Sequence, residues 1–312
     1  MLRDARQDTL PVLRAAFEAT GSGAWLMRAI TACGLDHANG YRLELQLGDD
    51  RMRGQRQATE ARLIDGEVDV IDTDWLSLLR HRAAGQPLVA AAPYGAIFGG
   101  LVAPRHSGLR GLADLPGKRI GVVHTEDKNW LLLRAACRRR HGFDPAEVSD
   151  CVAAGSKTAL CDALRGGKLD GALTYWHQVP ALVAEGDFRE VCDLVDLLAA
   201  FPSRRPPVPT SFFVLHEAVL HSAPELAQGF ARSVRDAAAR LRADVGLWSR
   251  VSGTPAGSWS GAALRRKWLA RVGLPWVPEM AERLQELAEL MAPPGAPQHE
   301  LPAGSLAAGL LL

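Results

Sequence analysis

The sequence predicts a two-lobed α/β protein in which each lobe is a mainly parallel sheet flanked by helices. Three observations predict it. At 312 residues, the chain exceeds the length at which one core usually stops growing. Strand and helix patterns alternate along it, the rhythm that builds parallel sheets with helices on both faces. Lastly, "GEVDVIDTDW" (Gly66 to Trp75) is echoed by "GKLDGALTYW" (Gly167 to Trp176). Asp69, Thr73 and Trp75 are matched at one offset by Asp170, Thr174 and Trp176.

The elements follow in order. "PVLRAAFEA" reads as a strand that delivers the chain to the loop "TGSG". "AWLMRAITACGL" has apolar residues at helical spacing and stops at Gly34. "YRLELQL" alternates as a half-buried strand, "MRGQRQATEARLIDG" is a polar helix ended by Gly66, and "EVDVIDT" is the next strand. The helix "DWLSLLRHRAAG" ends at Gly85 and leads to the strand "PLVAAAPY". A second unit opens at "AIFGGLVAP". The connector "SGLRGLADLPG" leads into the strand "KRIGVVH" and the helix "EDKNWLLLRAACRRRHG". "VSDCVAAG", "SKTALCDALRGG" and "LDGALTYW" read as strand, helix and strand. The helix "HQVPALVAEG" and the strand "FREVCDL" close the unit. The Pro-rich stretch Pro202 to Thr210 precedes the strand "SFFVLH". From Ala223 the pattern is helical almost to Pro293, and the last residues read as a loose tail.

Composition narrows the function. With 47% hydrophobic and 23% charged residues and a net charge of +1, nothing calls for a nucleic acid or a membrane surface. No apolar run approaches the roughly 20 residues of a membrane span. The first ten residues are charged where a signal core would be apolar. Cys33, Cys137, Cys151, Cys161 and Cys192 are scattered and contain no C-x-x-C pair, so they read mostly as small buried residues. "GLADLPGKR" fails as a phosphate loop, because it has five residues between its glycines and precedes a strand. "GSWSG" has Trp where a nucleophile elbow has Ser. Neither a metal nor a cofactor signature is present, so no cofactor is expected.

The positive signal is aromatic. Trp25, Trp75, Tyr94, Trp130, Tyr175 and Trp176 all fall at or near strand-to-helix junctions, the sheet edge where open α/β proteins bind ligands. Among them stand Asp72, Asp74, Glu126, Asp127, Lys128 and Asn129. Asp74, Glu126 and Asp127 occupy the first turns of helices, where they act as caps and discourage an anion. An aromatic cleft edged with carboxylates suits a neutral or cationic organic molecule, although Lys128 and Arg105 could restore an anion site. His124 and His177 are the only general-base candidates at that edge.

At "ADLPGKRIGV" (Ala113 to Val122) the sequence resembles the periplasmic substrate-binding proteins of ABC importers, in the sulfonate, taurine and thiamine-precursor class (NMT1/THI5-like). The carrying residues are Asp114, Leu115, Gly117, Lys118, Ile120, Gly121 and Val122. "DGEVDVI", "LRGGKLDGA" and "GQPLVAAAPYG" resemble further family elements in the same order. The resemblance implies a type II periplasmic-binding-protein fold closing on a ligand between its lobes. One lobe would comprise residues 1–93 plus 206–292 and the other 94–205, with a tail at 293–312. Hinges would lie near Ala92 to Gly95 and Ala200 to Thr210. The ligand contacts it implies are Ser22, Trp25, Thr73, Asp74, Trp75, Tyr94, Asp127, Lys128, Asn129, Trp130, Tyr175 and Trp176. It implies a monomer that hands a small organic molecule to a membrane permease in the periplasm. The alternative is a cytoplasmic enzyme or sensor on the same fold.

Overall fold

The structure, a computed structural model, describes residues 10–49, 51, 55–201, 208–293 and 295. The first stretch contains β1 (Val12–Glu18), α1 (Ser22–Ala32), α2 (Leu35–Ala38), β2 (Arg42–Gly48), α3 (Gln55–Ile64), β3 (Val70–Asp74), α4 (Trp75–Ala83) and β4 (Leu88–Gly95). The second begins with β5 (Gly100–Pro104), β6 (Arg119–Val122), α5 (Lys128–His141), α6 (Pro145–Val148) and β7 (Asp150–Ala153). It continues through α7 (Lys157–Arg165), β8 (Gly171–Thr174), α8 (Val179–Ala184), β9 (Phe188–Asp193) and α9 (Leu194–Leu197). The chain then returns as β10 (Ser211–His216), α10 (Glu217–Ser222), α11 (Pro224–Ala243), α12 (Val245–Ser252), α13 (Trp259–Arg271) and α14 (Met280–Met291). None of the described helices is long and apolar enough to cross a membrane.

Two five-stranded sheets result, in the orders β2-β1-β3-β10-β4 and β7-β6-β8-β5-β9. β1 pairs in parallel with β2 and β3, and β6 with β7 and β8. The fourth strand of each sheet, β10 or β5, runs antiparallel to both neighbours. Each sheet thus keeps four strands in one direction. The reversed strand is in each case the first one formed after the chain has crossed from the other sheet.

The sequence echo falls on equivalent strands, β3 and β8, third in each sheet. Gly66 and Gly167 have φ of +73° and +66°, left-handed turns that end the preceding helices. The Asp69 carboxylate accepts from the Arg14 amide and that of Asp170 from the Arg119 amide, both at 2.8 Å. Each aspartate thereby ties its strand to the neighbouring parallel one.

Three apolar clusters hold the halves. One surrounds α1, β1, α11 and α12, with Trp25, Phe213, Trp248 and Trp268. Another is continuous from Trp75 and Phe98 to Trp130 and the α14 residues Leu284 and Met291, so it joins the two sheets. α14 bridges them as well. Its Leu284 carbonyl accepts from Trp75 Nε1 (3.1 Å), while Arg138 of α5 donates to the Ala292 carbonyl just beyond it (3.0 Å). The smallest lies within the second sheet, around Leu160, Leu169 and Phe188. All five cysteines are free thiols. Burial pushes Cys137 and Cys192 up to about 12.

The strands that connect the halves are stapled to each other. Thr210 donates its amide to the Gly95 carbonyl (2.9 Å), and its hydroxyl accepts from the Ile97 amide (3.2 Å). On α13, Lys267 reaches Glu190 and Asp193 at 2.7 Å, and Arg271 pairs with Asp193. The expected second hinge, near Ala200 to Thr210, lies partly outside the described residues, at 202–207, as does most of the expected tail.

Candidate functional site

The C-terminal ends of β1, β3 and β4 face the starts of α5 and α7 and the loop after β8 across a cleft of about 70 Å³. On the first side β1 ends at Glu18, and Gly21, at φ +96°, turns the chain into α1. α1 has neither a side-chain cap nor an acidic residue in its first turn, and Ser22 and Gly23 line the cleft. The Ser22 hydroxyl is buried and has no hydrogen-bond partner in the structure. Asp72 stands beside it. A Cβ on Gly23 would lie 2.8 Å from Asp72 Oδ2, so only glycine lets this carboxylate so close to the helix start. Tyr94 donates its hydroxyl to the same Asp72 oxygen at 2.8 Å.

The other side contributes cations. Lys128, at the start of α5, donates to Ser211 Oγ (2.9 Å) and lies 3.8 Å from the Asp74 carboxylate. Lys157, at the start of α7, pairs with Glu18 and lies 4.5 Å from the centre of the Tyr175 ring. Tyr175 in turn donates to Asp127 at 3.2 Å. His177 Nε2 is 3.2 Å from Thr20 Oγ1. Burial, and then the Lys157 charge, hold His177 well below its ordinary pKa, so the imidazole is neutral. Three carboxylates (Glu18, Asp72, Asp74) therefore face two ammoniums (Lys128, Lys157) across the cleft.

Of the residues the sequence singled out, Ser22, Thr73, Asp74, Tyr94, Lys128, Tyr175 and Trp176 line the cleft. Trp25, Trp75, Asp127, Asn129 and Trp130 are not brought to its wall. Trp75 and Trp130 are buried in the shared cluster, and Trp75 stacks edge-on against Phe98. Trp25 packs edge-on between Trp176 and Trp248. Trp176 is unusual in that it belongs to the second sheet's edge yet is buried in the first half's core. Asp74 and Asp127 cap α4 and α5, accepting from the Ser77 and Asn129 amides, as the sequence predicts. Asn129 accepts from the Gly99 amide (2.8 Å) and so steadies the crossing strand. Thr73 donates to Glu60 (2.8 Å).

Sequence reasoning missed Glu18, Thr20, Lys157 and Ser211 as lining residues. Lys157 carried a signal, since "GSKT" gives a Ser156 cap followed by a cation at a predicted strand-to-helix edge. The others become visible only once the sheets are assembled. His124 does not line the cleft; it lies 4.0 Å from Asp127. Among the described residues no group of His, Cys, Asp and Glu could hold a metal ion.

The model of the "NMT1/THI5 like" family matches residues 51–244. No curated protein matches the sequence. The periplasmic aliphatic sulphonate binding protein SsuA of Escherichia coli is similar in structure, with a TM-score of 0.67 and 19% identity over 90% of this chain and 91% of that one. The alkanesulfonate-binding protein SsuA of Xanthomonas axonopodis pv. citri, bound to MOPS, gives 0.70 and 18% over 96% and 98%. The desulfurization enzyme DSZB gives 0.60 and 16% over 90% and 91%. At these identities the likeness is one of fold, that of the periplasmic binding proteins.

Proposed function

This chain belongs to the NMT1/THI5-like family, and from that premise we propose that it is a solute-binding protein delivering a small organic molecule to an ABC-type permease in the periplasm. One observation carries the reading. The cleft wall is assembled from both halves, with Glu18, Ser22, Asp72 and Tyr94 on one side and Lys128, Lys157 and His177 on the other. A molecule bound there joins the halves, which is how ligand binding becomes a change of shape that a membrane partner can read. The proposed lobes are residues 1–93 plus 206–292 and residues 94–205, with α14 strapped across both.

The ligand's chemistry follows from the wall. Ser22 and the start of α1 offer donors to an acceptor group, while Asp72, oriented by Tyr94, accepts from a donor or a cation. The site therefore suits a polar molecule carrying both kinds of group. The sulfonates named for the structural neighbours meet the first requirement. A cavity of about 70 Å³ holds only a few waters, so a larger ligand enters by parting the lobes. The protein acts as a monomer in this reading and returns its ligand unaltered.

A thermal-shift screen of sulfonates, carboxylates, amines and aminopyrimidines tests it, with the ligand recovered and weighed by mass spectrometry. Stabilisation by a compound recovered intact is expected. A compound recovered chemically changed would make the cleft an active site.

A further inference from the structure

Among the described residues, two side-chain atoms of the cleft wall are buried and without a hydrogen-bond partner: Ser22 Oγ and His177 Nδ1. Buried polar atoms are nearly always bonded, so a pair of exceptions on a cleft wall marks where a bound group belongs. They come from opposite halves, Ser22 from the start of α1 and His177 from the loop after β8. They also stand close together. A Cβ built on Gly21 would lie 3.6 Å from His177 Nδ1, and Ser22 is the next residue.

Both are held in place. Ser22 is 4% exposed and sits in the first turn of an 11-residue helix. The first amides of that helix have no acceptor within it, and no side chain caps them. On the other side, the His177 ring stands edge-on to Trp25 (6.3 Å) and Trp176 (5.8 Å), with its Nε2 tied to Thr20 Oγ1. These contacts fix the direction in which Nδ1 points. The imidazole is neutral, so one ring nitrogen donates and the other accepts, and the Thr20 hydroxyl can serve either.

We propose that His177 is a specificity-determining residue: its Nδ1–H and the Ser22 hydroxyl close from the two halves on one ligand head group that offers oxygen acceptors. The start of α1 already makes this a donor site, so the matching tautomer carries its proton on Nδ1 and takes the Thr20 hydroxyl proton on Nε2. Carboxylates, sulfonates and amides bring such oxygens. An alkylammonium has no acceptor and is not held by this pair. The inference rests on the solute-binding reading and adds to it the residue that tells an acceptor from a donor.

Hexanoate, pentane-1-sulfonate, hexanamide and hexylamine are the probes, with calorimetry on the full chain. The three oxygen-bearing probes should bind saturably. His177→Gln, whose amide reaches Thr20 but not the place of Nδ1, should weaken them about tenfold. His177→Asn, whose amide falls where Nδ1 lies, should stay within about threefold of the parent. Ser22→Ala should also cost about tenfold, and the Ser22→Ala/His177→Gln double variant less than the product, because both act on one group. In histidine-labelled protein the His177 Nδ1 resonance should move as hexanoate saturates. Parental affinity in the Gln variant, or equal losses in the Gln and Asn variants, would overturn the proposal and leave a solute-binding protein. Hexylamine affinity that falls with His177→Gln as the acids' does would overturn it as well. So would the absence of saturable binding by all three oxygen-bearing probes; the solute-binding reading then stands or falls with the thermal-shift screen.

Discussion

A tryptophan at a strand end can serve a core or a ligand, and the two roles separate by mutation. Trp75 and Trp130 are at most 1% exposed and sit in the cluster that joins the sheets. Replacing either with Ala should cost about 3–5 kcal/mol of stability, read by urea denaturation. Tyr94→Phe and Ser22→Ala should stay within about 1 kcal/mol of the parent in stability and change ligand affinity instead. A Trp75→Ala protein of unchanged stability would show that the shared cluster does not hold the halves as described. The sequence placed these aromatics at the right sheet edge but could not say which way they point. A one-residue difference in phase between strand and helix sends a side chain to the cleft or to the core. Asp74 and Asp127 were legible as caps because a cap is a local bond. Glu18 and Ser211 were not, because each becomes a wall only when Lys157 or Lys128 arrives from the other half.

Among the elements, β3 and β8 repeat one device. Asp69 and Asp170 each bond the amide of the neighbouring parallel strand, and each is followed by a Thr that donates at the strand end, to Glu60 or to Gln178. Asp69→Ala and Asp170→Ala should each cost roughly 1–3 kcal/mol. Because they lie in different sheets, their effects should add in the double mutant to within about 0.5 kcal/mol, measured by the same denaturation. Strong departure from additivity would mean that the two strands are energetically coupled across the sheets. The alternation of strands and helices, and the glycines that stop the helices, were readable from periodicity. The reversal of β5 and β10 was not, because strand direction depends on the side from which the chain enters the sheet. Nor was the position of α14, whose apolar stripe does not state which half it covers.

Across the whole molecule, the closed form in the proposed reading would be held by contacts that cross the cleft: Lys157 to Glu18, Lys128 to Asp74 and Ser211, His177 to Thr20, and Trp176 inserted beside Trp25. In that form burial, and then the Lys157 charge, disfavour the protonated His177. Once opened to water its pKa returns to about 6.5. The closed form is thus fully favoured above that pH and weakens as pH falls below it, since the open form then binds a proton that the closed form refuses. Small-angle scattering without ligand should show a larger radius of gyration at pH 5 than at pH 7.5, and His177→Phe should remove most of the difference. An unchanged radius in the parent would mean that His177 does not couple to closure. The two reversed strands have one more effect, on the order in which the molecule comes into being. β5 pairs only within the second stretch of chain, but β10 must insert between β3 and β4, and Ser211 meets Gly95 only after the whole second half has been made. Closing that long loop is slow, and until it closes β3 and β4 lack the strand between them. The half begun first at the ribosome is therefore finished last. In pulse-labelled hydrogen exchange during refolding, the amides of β5, β6 and β8 should gain protection before those of β3 and β4.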